Sequence, residues 1–188
     1  MTEQKFPFHS DELFVSYVSR RARALGLAGT LDFLRDLDVG RAAVLDGDGD
    51  TIKRVAVALD VNPDAALRQT FQRGSNQDVV LCDMNLKEKW VLRGKFRVCP
   101  ACIRADIGPA LNADTVWRAY AWLSSALVPV RVCPVHRLAL VYPPEAPVPH
   151  EFHISWEAWI PEIMDGELDQ PVAGQGLYED FLARSISG

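Results

Sequence analysis

A chain of 188 residues with 48 % apolar side chains and a net charge of −5 can bury one good core, or two small units with help. No apolar run approaches the roughly 18 residues of a membrane span, and Met1–His9 lacks the basic-then-apolar pattern of a signal peptide. A reducing cytoplasm, with no membrane partner, is the expected setting. The charge is unevenly spread: residues 1–86 hold 10 basic and 13 acidic side chains, residues 87–137 hold 9 and 3, and residues 138–188 hold 1 and 9. Only the middle segment carries a field suited to phosphate. The acidic tail is suited either to folding back onto it or to meeting a basic partner.

In chain order, Ser10 reads as an N-cap, with Asp11 and Glu12 in the first turn of a helix. Leu13, Phe14, Tyr17, Val18, Ala22 and Leu25 follow at helical spacing, and Gly26 and Gly29 offer stops. Arg20, Arg21 and Arg23 read chiefly as a solvated basic face of that helix. Thr30 opens a second short helix with Leu31, Leu34 and Leu37 inward.

Asp46-Gly47-Asp48-Gly49-Asp50 resembles the start of a calcium loop and fails on inspection. Counted from Asp46, the sixth and twelfth positions are Thr51 and Val57, where an EF-hand needs Gly and a bidentate Glu. The stretch is an acidic surface loop. Thr51–Leu59 then presents Ile52, Val55, Ala56 and Leu59 on one face; Asn62 caps and Pro63 opens a helix expected to run through Phe71. Two helices joined by three residues fit a helix-turn-helix-like pair. As a DNA reader it is poor, because the end that would enter the groove carries Asp64; Arg68, Gln69 and Arg73 are its only useful contacts, so packing or a protein contact is the stronger expectation. Cys82 reads as a small buried hydrophobe.

Residues 87–98 read as a two-stranded ribbon in which Lys87, Lys89, Arg93, Lys95 and Arg97 interleave with apolar positions. These five are candidate nucleic-acid or partner contacts. The ribbon leads into Cys99-Pro100-Ala101-Cys102, and after 30 intervening residues comes Cys133-Pro134-Val135-His136. Each is a tight turn presenting two metal ligands, stiffened by Pro after the first Cys. Three sulfurs and one imidazole are the set a structural Zn²⁺ takes in a closed tetrahedral site. A catalytic zinc needs an open position, which four protein ligands do not leave; reduced core cysteines are the bland alternative. The long spacing calls for an inserted helix, capped by Asn112 or Asp114 and carrying Val116, Trp117, Tyr120, Leu123 and Leu127, with a short strand from Arg137 to Val141 after the second knuckle.

Pro143, Pro144, Pro147 and Pro149 mark a linker. Behind it, His150-Glu151-Phe152-His153 fails as a metalloprotease motif, whose two His lie four apart. A deaminase pattern fails too, since no His has Glu two positions on. Trp156 and Trp159 are placed as anchors of the tail, and Tyr178–Ser185 as a last helix.

Asp11-Glu12-Leu13, Ser16-Tyr17-Val18-Ser19-Arg20, Arg97-Val98-Cys99-Pro100-Ala101-Cys102 and Arg131-Val132-Cys133-Pro134-Val135-His136-Arg137-Leu138, in this order, resemble the TniQ family of bacterial transposition accessory proteins, which includes the target selector TnsD. The likeness covers about residues 8–142. It implies a zinc-binding adaptor without a catalytic site of its own, with Cys99, Cys102, Cys133 and His136 as ligands. Its implied partners are transposase and ATPase components of a mobile element, a DNA site or RNA-guided nucleoprotein complex, or a second copy of the chain. Relatives often carry further Cys pairs and helix-turn-helix units after the second knuckle, and none follow here.

The expected protein is therefore mainly α with a small β zinc-ribbon-like module, an α+β chain in three parts: an N-terminal helical domain over residues 1–86, a zinc-binding module with an inserted helix over 87–142, and a linker and acidic tail over 143–188. The expected role is to bridge a transposase to a target DNA or nucleoprotein complex; a zinc-containing helix-turn-helix transcriptional regulator is the alternative.

Overall fold

In a computed structural model, the structure describes residues 6–27, 29–75, 78–92, 97–108, 118–142, 163–166, 168–169 and 171. α-Helices and a three-stranded antiparallel sheet make the described residues a mixed α+β fold: α1 Phe14–Ala24, α2 Thr30–Asp36, α3 Arg41–Leu45, α4 Gly49–Ala58, α5 Pro63–Arg68, β1 Gln72–Arg73, β2 Asp78–Leu81, β3 Met84–Lys87 and α6 Pro100–Ile107.

The first five helices surround one apolar core. Phe14, Tyr17, Val18 and Ala22 of α1 meet Phe33 and Leu34 of α2, Val44 of α3, and Ile52, Val55 and Ala56 of α4. The α4 face is the one its spacing predicts, since positions three and four apart lie together on a helix. Asp48 caps α4 by accepting from the Thr51 N–H at 2.9 Å. At its other end Asp60 takes a left-handed φ of 55°, and the Val61 N–H returns to the Ala56 carbonyl at 2.9 Å, closing the helix. Asn62 then accepts from the N–H groups of Asp64 and Ala65, and Pro63 supplies a fixed φ where no N–H is needed. Fully buried Ala56 and Ala66 leave α4 and α5 room to pack closely.

Gly47 explains the acidic loop. It has φ +69°, and a Cβ there would lie 2.1 Å from the Phe71 carbonyl oxygen, so the backbone crossing between α3 and α4 requires glycine. The flanking aspartates are committed, Asp48 to its cap and Asp46 to an ion pair with Arg73 at 2.9 Å.

Three local expectations are corrected. Ser10, Asp11 and Glu12 do not open α1. The helix starts at Phe14 with no side-chain cap, and the preceding segment runs extended against residues 121–123: the Leu13 N–H donates to the Ala121 carbonyl at 3.0 Å, and the Leu123 N–H to that of Asp11 at 2.7 Å. Of the ribbon expected over residues 87–98, Glu88–Trp90 is a single 3-10 turn and residues 93–96 lie outside the described residues; the three-stranded sheet lies earlier, pairing Gln72 with Val80 and Val79 with Leu86. Cys82, half-buried, forms with Asp83 the two-residue turn joining β2 to β3, both at positive φ as a type I′ hairpin requires.

The helix expected from Asn112 or Asp114 begins on residues 109–117, outside the described residues. Its remaining stretch is not an α-helix: Ala119–Trp122 is extended and Leu123–Ala126 a 3-10 turn. Among the described residues between the knuckles, the α-helix is α6, which begins at the first knuckle itself. Readings placed on 143–162 and 172–188 fall outside the described residues. Of the tail, Ile163 is fully buried against Val98, Ile103, Ile107 and Ala119. Arg104 of α6 holds that segment by donating to the Ile163 carbonyl at 2.7 Å and pairing with Asp169.

Candidate metal centre

Two backbone features aim the first pair of side chains. Cys99 is the N-cap residue of α6 and Pro100 its first helical residue, so Cys102 lies within the opening turn, with the Ile103 N–H bonded to the Cys99 carbonyl at 3.1 Å. The second pair sits on a reverse turn. The Cys133 N–H donates to the Leu138 carbonyl at 2.8 Å, and the Arg137 N–H to that of Cys133 at 3.0 Å. Arg137 takes φ 58°, and the His136 N–H lies 3.4 Å from the Cys133 sulfur. Amides aimed at a sulfur favour its thiolate form.

A short ladder brings the two turns together. Val98, just before the first cysteine, exchanges both backbone hydrogen bonds with Val141 at 2.8 and 2.9 Å, and Val132 pairs with Ala139. Side chains 31 and more positions apart are thereby brought side by side.

Cys99, Cys102, Cys133 and His136 converge there, their ligand atoms all within 4.8 Å of one another. The His136 Nδ1 lies 3.6, 3.3 and 3.8 Å from the sulfurs of Cys99, Cys102 and Cys133, and the Cys102 and Cys133 sulfurs are 3.6 Å apart. For a tetrahedral ion with bonds of about 2.3 Å to sulfur and 2.0–2.1 Å to nitrogen, the edges come to about 3.8 Å for S–S and 3.5 Å for S–N. The donor set and its spacing both fit such an ion. No disulfide joins the cysteines. Three sulfurs this close do not all ionise unaided. Hydrogen bonds from Cys102 and then Cys99 hold Cys133 as the thiolate, and those contacts, with burial, push Cys102 up. A divalent cation would relieve that crowding.

The three cysteines are buried and His136 is exposed, so the cluster is embedded on one side and open to solvent at its imidazole edge. Ala101, Trp122, Leu138 and Leu140 pack around the sulfurs.

The eight residues singled out as contacts have varied fates. Arg68, Arg73 and Lys87 are exposed but paired with Asp83 at 3.0 Å, Asp46 at 2.9 Å and Asp78 at 2.6 Å. Gln69 is buried, its amide donating to the carbonyls of His9 at 2.7 Å and Glu12 at 3.0 Å. Arg97 is buried and donates to the carbonyls of Leu127 and Val128. Lys89 is exposed, with no ion pair among the described residues. Arg93 and Lys95 lie outside the described residues.

Sequence reasoning missed what ties the N-terminal segment to the metal-ligand region. Glu12 and Arg20 form a fully internal ion pair, His9 stacks on Tyr120 at 4.4 Å between ring centres, and the Tyr120 hydroxyl donates to Asp11 at 3.1 Å. The one available signal was a carboxylate and an arginine flanking an otherwise apolar stretch.

A model of the TniQ family matches residues 5–140. No curated protein and no solved structure shows significant similarity to the chain.

Proposed function

The chain belongs to the TniQ family, and on that premise we propose that it is a zinc-binding accessory protein of DNA transposition, linking transposase components to a target DNA or nucleoprotein complex. The observation that carries the zinc is the convergence of three sulfurs and one imidazole within 4.8 Å. Thiolate-rich donor sets with tetrahedral edges select Zn²⁺ over the oxygen-seeking ions. With all four positions filled by protein, the ion is structural, and the chain acts by binding rather than by catalysis.

In this reading the metal holds Cys99–Cys102 and Cys133–His136 as one zinc-ribbon-like unit spanning residues 87–142. The α1–α5 region, including α4 and α5 as a helix-turn-helix-like pair, offers the second surface. Protein contact suits that pair better than base readout, because Arg68 is tied to Asp83 and Gln69 faces inward. A reducing cytoplasm keeps the thiols available.

No helix among the described residues is long and apolar enough to cross a membrane.

The test is metal analysis together with affinity capture from the native host. One zinc per chain, lost in Cys102→Ser, with a transposase or ATPase component recovered by the wild type, is the expected result. A metal-free wild-type protein overturns the zinc; a zinc-loaded protein that recovers no such component overturns the accessory role.

A further inference from the structure

Among the described residues, some exposed cations are paired with an acid and others, Lys53 and Arg137 included, are not. Arg35, Arg68, Arg73 and Lys87 are each neutralised by a nearby aspartate. Lys89 and Arg131 are exposed with no ion pair among the described residues, and both belong to the segment with 9 basic and 3 acidic side chains. Two of the most exposed aromatic residues lie beside them: Trp90, 46 % exposed, and Tyr142, 53 % exposed.

Backbone register places these residues together. The Trp90 carbonyl accepts from the Val128 N–H at 2.8 Å, and the Val128 carbonyl accepts from the Arg97 guanidinium at 3.0 Å. Arg97 in turn lies under the Tyr142 ring, 5.9 Å from its centre. Since Val98 pairs with Val141, Arg97 and Tyr142 are opposite one another on the same face of the ladder. Val132 pairs with Ala139, so Arg131 is opposite Leu140, two residues from Tyr142 and on that face too. Arg131 is near enough for its charge to act on Arg97. Arg97, buried and bonded to two carbonyls, is committed to the backbone, and the Tyr142 ring beside it stays 53 % exposed.

Two exposed aromatic rings on a rigid support, flanked by uncommitted cations, make a surface with two kinds of affinity. A purely apolar partner would leave Lys89 and Arg131 unpaired, and a duplex would offer the rings no base face. Unstacked bases joined by phosphates satisfy both. We propose that Trp90, Tyr142, Lys89 and Arg131 form a docking surface for single-stranded nucleic acid, with bases stacking on the rings and phosphates meeting the cations. The proposal rests on the accessory-protein reading only for its biological setting; the chemistry is independent of it.

The experiment titrates full-length, zinc-loaded protein into labelled dT20 and rU20 at low salt, following fluorescence anisotropy and Trp quenching, with a blunt 20-base-pair duplex alongside. Wild type binds the single strands more tightly than the duplex. Trp90→Ala and Tyr142→Ala each weaken binding by about 5- to 100-fold, while Trp90→Phe retains most of it. Arg131→Ala lowers the magnitude of the salt slope by about 0.7, one phosphate's worth on a single strand. Zinc content and far-UV circular dichroism of each variant are checked against wild type. Absence of single-strand binding, tighter duplex binding, or folded Ala variants that bind as wild type does would each overturn the surface. Recovery of transposase components is scored separately on the same variants, so loss of one reading leaves the other standing.

Discussion

Arg20 grips both carboxylate oxygens of Glu12, at 2.7 Å from Nε and 2.6 Å from Nη2, with the two side chains 3 % and 0 % exposed. The arginine also donates to the Pro7 carbonyl at 2.9 Å and lies over the rings of Phe6, Tyr17 and Tyr120. One residue of α1 thus binds the N-terminal segment, the helix core and the extended strand leading to the metal-ligand region. Removing one partner leaves the other charge buried and unpaired, which costs about 3–5 kcal/mol. Arg20→Ala and Glu12→Ala should each lower the unfolding free energy measured by urea titration by that amount. The double variant should lose much less than the sum, and additive losses would show that the pair does not act as a unit.

Gly47→Ala should destabilise by about 2–4 kcal/mol, combining a left-handed backbone with overlap against the Phe71 carbonyl. Gly40→Ala, where a Cβ meets nothing within 4 Å, serves as control and should stay within about 0.5 kcal/mol. Equal losses in the two variants would mean the crossing is not the cause.

What was legible followed from how local the determining interactions are. The inward face of α4, the Asn62–Pro63 start of α5 and the two knuckles are set by residues within one or two turns, and their spacing carried them. Ser10-Asp11-Glu12 has the composition of a helix start, yet Glu12 is claimed by Arg20 eight residues on, and the backbone there pairs with residues more than a hundred positions away. The β2–β3 hairpin was hidden because Cys82-Asp83 fills a turn that ordinarily shows Asn-Gly, and because β3 is mostly exposed and lacks alternation. Arg20 looks like a surface residue in the sequence because its burial depends on Phe6 and Tyr120, 14 and 100 positions away, as well as on Tyr17 of its own helix.

Arg104 links α6 to the C-terminal segment through the Ile163 carbonyl and Asp169. The ion pair is partly exposed, so its worth is modest, but the Ile163 that it adjoins is fully buried. Arg104→Ala should cost about 1–2 kcal/mol in global stability and should speed proteolytic cutting after Tyr142 several-fold. Unchanged cutting rates would assign the holding entirely to the apolar contact.

Metal removal should act on one part of the molecule. The α1–α5 core shares no residue with the cysteine cluster, whereas Val98, Ile103 and Ile107 are threaded between the ligands and the tail. A strong chelator should expose three thiols to Ellman's reagent beyond Cys82 and raise hydrogen exchange at Val98 and Val141 by orders of magnitude, with smaller changes at Val55 and Ala56. Uniform exchange throughout the chain would mean that the ion supports the whole fold.

Asp106 of α6 has one carboxylate oxygen buried without a hydrogen-bond partner among the described residues. Burial is the main reason its carboxyl is pushed up to about 7; Asp11 and Glu12 add to the rise, while Arg20 and His136 oppose it. Between the ordinary value of 3.8 and about 7, the folded chain keeps a proton that the unfolded chain has released. Stability contributed by this group is therefore full in acid and lost as pH rises through about 7. Asp106→Asn, which cannot ionise, should raise the melting temperature above wild type by clearly more at pH 8 than at pH 5. Comparing the two proteins at each pH cancels the common titration of the cysteine cluster. A wild type that gains stability relative to the Asn variant between pH 5 and 8 would show that Asp106 is charged in the folded state and held by Arg20 instead.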